Sequence, residues 1–155
     1  MRILLVLLAV SAAAIVGAAF YFRMAPMPPD VWHVDPDVAA LPTTPNYELL
    51  VEEDAPRLPG TPEQVAVALD IVATSEGAVL IAGSPAEGFM TYVARSRFFG
   101  FPDAISMRLH AEGEDTRVDI FSRSRFGQSD LGVNAARVER WIGKAGAQEQ
   151  AGQGS

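Results

Sequence analysis

Residues 3–22, ILLVLLAVSAAAIVGAAFYF, carry no charged side chain and are bracketed by Arg2 and Arg23. At about 1.5 Å per residue, a helix of that length spans roughly 30 Å, the hydrocarbon thickness of a bilayer. Tyr21 and Phe22 at the far end suit the interfacial zone, where aromatic rings settle. The alternative is a cleaved signal peptide, for which Gly17-Ala18-Ala19 offers small residues at a cleavage point. Signal-peptide apolar cores run to about 7–15 residues, so length favours an anchor over residues 1–23. One arginine flanks each end, which leaves the positive-inside count close to a tie. The free amino terminus beside Arg2 and the acidic stretch that follows tip the expectation towards a cytoplasmic N-terminus. The domain is then expected outside, on the periplasmic or extracytoplasmic side, as part of a single-pass membrane protein.

Residues 24–60 hold prolines 26, 28, 29, 36, 42, 45, 56 and 59, out of 11 in the whole chain. Proline removes a backbone donor and fixes φ, so neither a long helix nor a central strand fits here. A stand-off linker is the default. Val31-Trp32-His33-Val34 and Tyr47-Glu48-Leu49-Leu50-Val51 are too apolar for a solvated tether. They are expected to strap onto the domain, with an edge strand among them. His33 and Asp35 supply only two ligands, which do not make a metal site.

From residue 61 to 146 the pattern is that of a folded unit. Thr61, Pro62 and Gln64 have the spacing of a capping box with proline at the first helical position. Val65, Leu69 and Val72 share a helical face, and Gly77 suits a left-handed stop. Strands are predicted at about 78–83, 88–97, 104–111 and 116–125, separated by glycine, proline and acidic turns. Ile105, Met107 and Leu109 alternate with Ser106, Arg108 and His110, and Val118 and Ile120 alternate with Arg117, Asp119 and Phe121. Such alternation puts one face on a core and the other against water or a partner. A last helix begins near Ser129 or Asp130, with Val138, Trp141, Ile142 and Ala145 as its stripe and Gly146 as its end. Residues 147–155 are expected to be a disordered tail. The fold expected is α+β: a four-stranded antiparallel sheet with two helices on one face, preceded by a single transmembrane helix.

Between the fourth strand and the last helix lies SRSRFGQSDLGVNAARVERW, Ser122 to Trp141. This stretch resembles the signature of the bacterial and plant family called domain of unknown function 1499. The resemblance extends over about residues 60–145 and is strongest across 94–103 and 121–141. It implies a domain type and no activity. Within it, Ser122, Ser124, Gly127, Ser129, Asp130, Gly132 and Asn134 are read as structural: hydroxyls under a helix start, caps, and glycines for backbone geometry. Asp130 is expected to cap, tied to Arg123 or Arg125.

The formal net charge of -7 argues against a nucleic-acid partner of the usual basic kind. Cysteine is absent, which excludes disulfides, thiolate metal sites and thiol nucleophiles. With His33 and His110 as the only histidines, a histidine-built metal site would need carboxylate help. No Gly-rich phosphate loop, zinc spacing or serine–histidine–acid order is legible, so no catalytic residue, metal or cofactor is assigned and nothing reaches the threshold for an enzyme.

The arginines carry the one binding expectation. Arg95-Ser96-Arg97-Phe98-Phe99-Gly100 and Arg123-Ser124-Arg125-Phe126-Gly127 resemble each other and end neighbouring strands of a meander. A turn at Gly113-Glu114 pairs Ala104 with Arg123, and a loop over 98–103 would pair Ala104 with Arg97. Arg95, Arg97, Arg123 and Arg125 then share one face at one sheet end, a candidate site for an anionic lipid headgroup or an acidic protein partner. Two like charges 10 Å apart in water repel by only about 0.4 kcal/mol, so the cluster alone does not demand a ligand. The competing expectation is a structural or assembly protein of the envelope, with these arginines paired internally to Glu52-Glu53-Asp54.

Overall fold

The computed structural model describes residues 1–153. Helix α1 (Arg2–Arg23) buries none of its residues and is long and apolar enough to cross a membrane. A short helix α2 (Pro29–Trp32) and a 3-10 turn (Pro36–Val38) follow. Then come β1 (Tyr47–Leu50), β2 (Arg57–Pro59), α3 (Pro62–Ser75), β3 (Val79–Ser84), β4 (Phe89–Arg95), β5 (Pro102–Glu112), β6 (Asp115–Ser124) and α4 (Val133–Gln153).

The class is α+β with an antiparallel sheet, but the sheet has six strands rather than the expected four. Its order is β1-β6-β5-β4-β3, with β2 also on β6. The two extra strands come from the proline-rich region. Strand β6 would otherwise present an open edge of unpaired amides and carbonyls. Tyr47–Leu50 pairs with Arg123–Ile120, and Arg57–Pro59 pairs with Arg117–Asp115. Between them the Val118 amide donates to the Pro56 carbonyl. Proline is tolerated there because this is the outermost position, where its missing donor faces away from the ladder.

One face of the sheet is covered by α3 and α4. Val65, Leu69 and Val72 of α3 and Val138, Trp141 and Ala145 of α4 close over Met90, Tyr92, Ile105, Met107, Val118 and Ile120. Helix α3 starts with both halves of its capping box made: the Gln64 amide donates to Thr61 Oγ1 and the Thr61 amide to Gln64 Oε1. Helix α4 does not end at Gly146. It runs on to Gln153, so the expected tail is helical through that residue, and its last two residues, 154 and 155, lie outside the described residues. Gly146 serves close approach instead: a Cβ there would sit 3.2 Å from Leu58 Cδ2 of β2.

The opposite face is covered by a strap, residues 25–38. Met27 packs with Val93 and Ala104, and Trp32 and Ile81 lie against them. His33 Nδ1 is 2.8 Å from Thr91 Oγ1, and its ring stacks on Phe89 with centroids 3.8 Å apart. Burial lowers the His33 pKa, Glu87 opposing and Arg108 assisting. Arg108 Nη2 donates to Asp35 Oδ2 at 2.6 Å. The acidic cover was expected from Glu52-Glu53-Asp54. Those three are exposed in a 3-10 turn between β1 and β2, because strand pairing holds that region in the plane of the sheet.

Candidate anion-binding site at the anchor end of the sheet

The chain ends β4 and β6 on the same side of the sheet, where α1 also terminates. Phe22 meets the Phe101 ring at 4.3 Å and the Phe126 ring at 5.0 Å between centroids. The Arg23 guanidinium donates to the carbonyls of Arg97 and Phe98. Arg95 donates to the carbonyls of Phe22, Ala25 and Gly100, and Arg125 to that of Pro26. Gly100 has φ +73°, and a Cβ on it would come within 2.9 Å of the Arg23 side chain. That position therefore needs glycine on both counts.

The four arginines proposed from sequence separate into two groups. Ala104 stands opposite Arg123, as the turn at Gly113 dictates. On the other side, Val93 rather than Arg97 stands opposite Ala104, and Arg95 faces Pro102. The reason is local. Ser96 closes the loop through its own amide to the Phe101 carbonyl, its carbonyl to the Gly100 amide, and its Oγ to the Phe101 amide. Strand β4 stops short, and Arg97 moves into an exposed turn beside Phe98 and Phe99.

Arg123 is buried beneath the strap, at 6% exposure. Its Nη2 donates to the Trp32 carbonyl at 2.6 Å, and its Nη1 to Ser106 Oγ and the Phe121 carbonyl. The guanidinium lies 4.4 Å from the Phe121 ring centroid and 5.4 Å from that of Trp32. Burial alone pulls its pKa down to about 10. Arg123 is therefore a packed strap anchor, while Arg23, Arg95, Arg97 and Arg125 form the rim.

Pairing divides the cations. Among the described residues, Arg57, Arg108, Arg117, Arg137, Arg140 and Lys144 each lie within 4.0 Å of a carboxylate. Arg23, Arg95, Arg97 and Arg125 do not. Burial, with the charges of Arg125 and Arg23, holds Arg95 below the ordinary arginine range. Within the rim, Arg23, Arg95 and Arg125 are mutually repelling cations held by backbone carbonyls, Arg97 lies exposed beside them, and none of the four has a counter-ion among the described residues.

Beside the rim lies a cleft of about 220 Å³, lined by both arginine loops and the start of α4. Phe101 and Phe126 form its apolar wall, and Leu131 at its lip is 92% exposed. Leu131 also has φ +54°, an unusual backbone for a leucine. Ser124, Gly127, Ser129 and Asp130 of the family motif line the cleft, next to a buried polar network. Ser122 Oγ donates to Asn134 Oδ1 at 2.6 Å, and Asn134 Nδ2 reaches the Asn46 carbonyl and Ser124 Oγ. Arg137 joins Asn134 Oδ1 to Asp103, the latter at 2.6 Å in a buried pair.

Asp130 accepts from the amides of Gly132 and Asn134 and so caps α4, with no arginine in reach. Burial raises its pKa, but these amide bonds outweigh it and leave the carboxyl below its usual range. Ser129 Oγ accepts from the Leu131 amide. Gly127, at φ +96°, offers its carbonyl to Asn46 Nδ2. The cleft's carboxylates are thus committed to a cap and an ion pair, and both histidines lie on the other side of the sheet. Sequence reasoning missed the roles of Asn46 and Arg137. The signal for Asn46 was faint, one polar residue beside an apolar run. Arg137 was visible as the arginine one helical turn after Asn134.

Residues 26–144 match the family model described as protein of unknown function, DUF1499. The chain belongs to this family. The DUF1499 region takes in the strap, the rim loops, the cleft and most of α4, and begins just after α1. No curated protein matches the chain. Among solved structures it is similar to the adenylate sensor from AMP-activated protein kinase in complex with 5-aminoimidazole-4-carboxamide 1-beta-D-ribofuranotide. The identity is 9%, the TM-score 0.45, and the match covers 59% of this chain and 93% of that one. A likeness of that size carries no argument about function.

Proposed function

We propose that this DUF1499 protein is a membrane-anchored, non-catalytic module that holds an anionic lipid headgroup at the rim where α1 meets the sheet. The observation that carries this reading is the unpaired set Arg23, Arg95, Arg97 and Arg125 within a chain of net charge -7. With nineteen acidic residues available, internal pairing at this end would have been easy. The rim instead lies at the end of the membrane helix, at headgroup depth when α1 spans the bilayer. Phe98, 83% exposed, and Leu131 flank it with apolar side chains suited to the acyl boundary. Each arginine near an anionic surface contributes about 1 kcal/mol, a contribution that salt weakens. In this reading the N-terminus is cytoplasmic and the domain extracytoplasmic, an orientation supported by the acidic strap that follows α1.

The test uses the full-length chain in nanodiscs of mixed phosphatidylcholine and phosphatidylglycerol. Electron paramagnetic resonance of spin-labelled lipids reads the fraction immobilised at the protein. Phosphatidylglycerol is expected to be preferred over phosphatidylcholine several-fold at low salt. The preference shrinks at 0.5 M salt and disappears in an Arg95→Gln, Arg97→Gln, Arg125→Gln variant. Equal immobilisation of the two lipids by the unmodified chain would exclude the headgroup reading.

A further inference from the structure

On the strap face, well apart from the rim, three side chains converge that neither the rim nor the cleft uses. His110 Nε2 of β5 lies 3.0 Å from Asp119 Oδ2 of β6 and 3.5 Å from Asp37 Oδ2 of the strap. Ligand-type atoms of the three residues all lie within 4.8 Å of one another. In a tetrahedral site with metal–ligand bonds of about 2.0–2.1 Å, ligand atoms stand about 3.3 Å apart. The separations of 3.0 and 3.5 Å bracket that value.

Proximity of acids and a histidine is common without any ion, so the hydrogen bonding has to decide. Asp119 is fully buried, and its Oδ1 has no hydrogen-bond partner. His110 Nε2 is also shielded from solvent and makes no hydrogen bond, although two carboxylate oxygens lie within 3.5 Å. Arg117 Nε beside them is the third buried side-chain atom without a partner among the described residues. Buried polar atoms are nearly always satisfied, so the cluster points to a missing group, an ion with its water. A cation accepts electron pairs from both an imidazole nitrogen and a carboxylate oxygen, and so satisfies both. Arg117 Nη2 donates to Asp119 Oδ2 at 3.0 Å, and its Nη1 donates to Glu112 Oε1. Such a bond orients a ligating carboxylate rather than replacing the ion.

We infer that Asp37, His110 and Asp119 form a binding site for one divalent first-row cation, of the Zn²⁺ or Mn²⁺ kind. One imidazole with two carboxylates suits these ions better than Ca²⁺ or Mg²⁺, which favour all-oxygen shells. Three protein ligands leave the remaining positions to water. Because Asp37 is on the strap while His110 and Asp119 are on the sheet, the ion also fastens the segment that follows the membrane helix to the domain.

The experiment is calorimetric titration of the full-length chain in detergent micelles with ZnCl₂ and MnCl₂. One saturable site per chain is expected. Asp37→Ala and His110→Ala each weaken it at least about tenfold, and His33→Ala leaves it unchanged. Asp37 is exposed and sits in a turn, so its variant keeps the fold even if His110→Ala does not. Added Zn²⁺ should also slow proteolysis of the 39–45 segment in the unmodified chain and not in Asp37→Ala. Absence of saturable binding by either ion overturns the inference. So does equal binding by the Asp37→Ala and unmodified chains, or loss of binding in His33→Ala.

Discussion

Glu76, at the C-terminal end of α3, accepts hydrogen bonds from Arg140, Trp141 Nε1 and Lys144 of α4. A carboxylate at a helix C-terminus opposes the helix dipole, so the three donors must outweigh that cost. The Arg140 bonds do most to lower its pKa, burial opposes them, and Lys144 and Trp141 add to the pull, bringing it to about 2 from an ordinary 4.5. A depressed carboxyl pKa contributes stability that is complete above the unfolded value and lost as pH falls through the folded one. Arg140 and Lys144 are about half exposed, so solvent screening discounts the contribution. Glu76→Gln is expected to lower unfolding stability at pH 7 by about 1–2 kcal/mol. The difference should shrink between pH 4.5 and pH 2, measured by denaturant unfolding of both chains across that range. A difference that persists unchanged at pH 2 would mean the charge is not what binds the two helices. Nothing in the sequence pairs residue 76 with 140, 141 and 144, because only the packing of α4 against α3 brings them together.

At the scale of elements, the strap is where reading the chain in order falls short. The apolar Val31-Trp32-His33-Val34 run marks a segment that packs, and Tyr47–Leu50 marks an edge strand. Which acids would cover the arginines was not legible, since Asp35 and Glu52 are alike in sequence and differ only in whether strand pairing restrains them. The strap itself is held chiefly by Trp32, through its ring against Arg123 and its carbonyl to Arg123 Nη2. Trp32→Ala should cost about 1–3 kcal/mol in thermal unfolding and speed protease cleavage within residues 33–46. Unaltered cleavage would show that Asp35–Arg108 and the edge strands hold the strap without it. The capping box of α3, by contrast, is readable from Thr61, Pro62 and Gln64 alone, because its partners lie within one turn.

For the whole molecule, the unequal placement of charge has a consequence for topology. The net charge is -7, yet Arg23, Arg95, Arg97 and Arg125, all without carboxylate partners among the described residues, gather where α1 ends. By sequence the arginines next to α1 tie, and the proposed extracytoplasmic domain rests on the acidic strap. Glu63 is exposed at the start of α3, and the chain has no cysteine of its own. A Glu63→Cys variant would therefore carry a single thiol. In intact cells, a membrane-impermeant maleimide should label it without lysis. Labelling only after lysis would place the domain in the cytoplasm and reverse the topology while leaving the rim's position at the bilayer intact.

Sequence alone determined the features whose causes are local. The apolar helix α1, long enough to cross a membrane, follows from length and absence of charge, the α3 cap from three neighbouring residues, and the Ala104–Arg123 register from the turn at Gly113. Each depends on interactions within a few residues or on a simple repeat. Tertiary structure decided which arginines are free, because that depends on acids brought from distant segments. Arg97 left the strand through the Ser96 loop, and Arg123 disappeared beneath Trp32. It likewise set Asp37 beside His110 and Asp119, residues far apart in the chain that meet only when the strap crosses the sheet. Charge pairing across layers is settled by packing, and packing is a property of the folded chain as a whole.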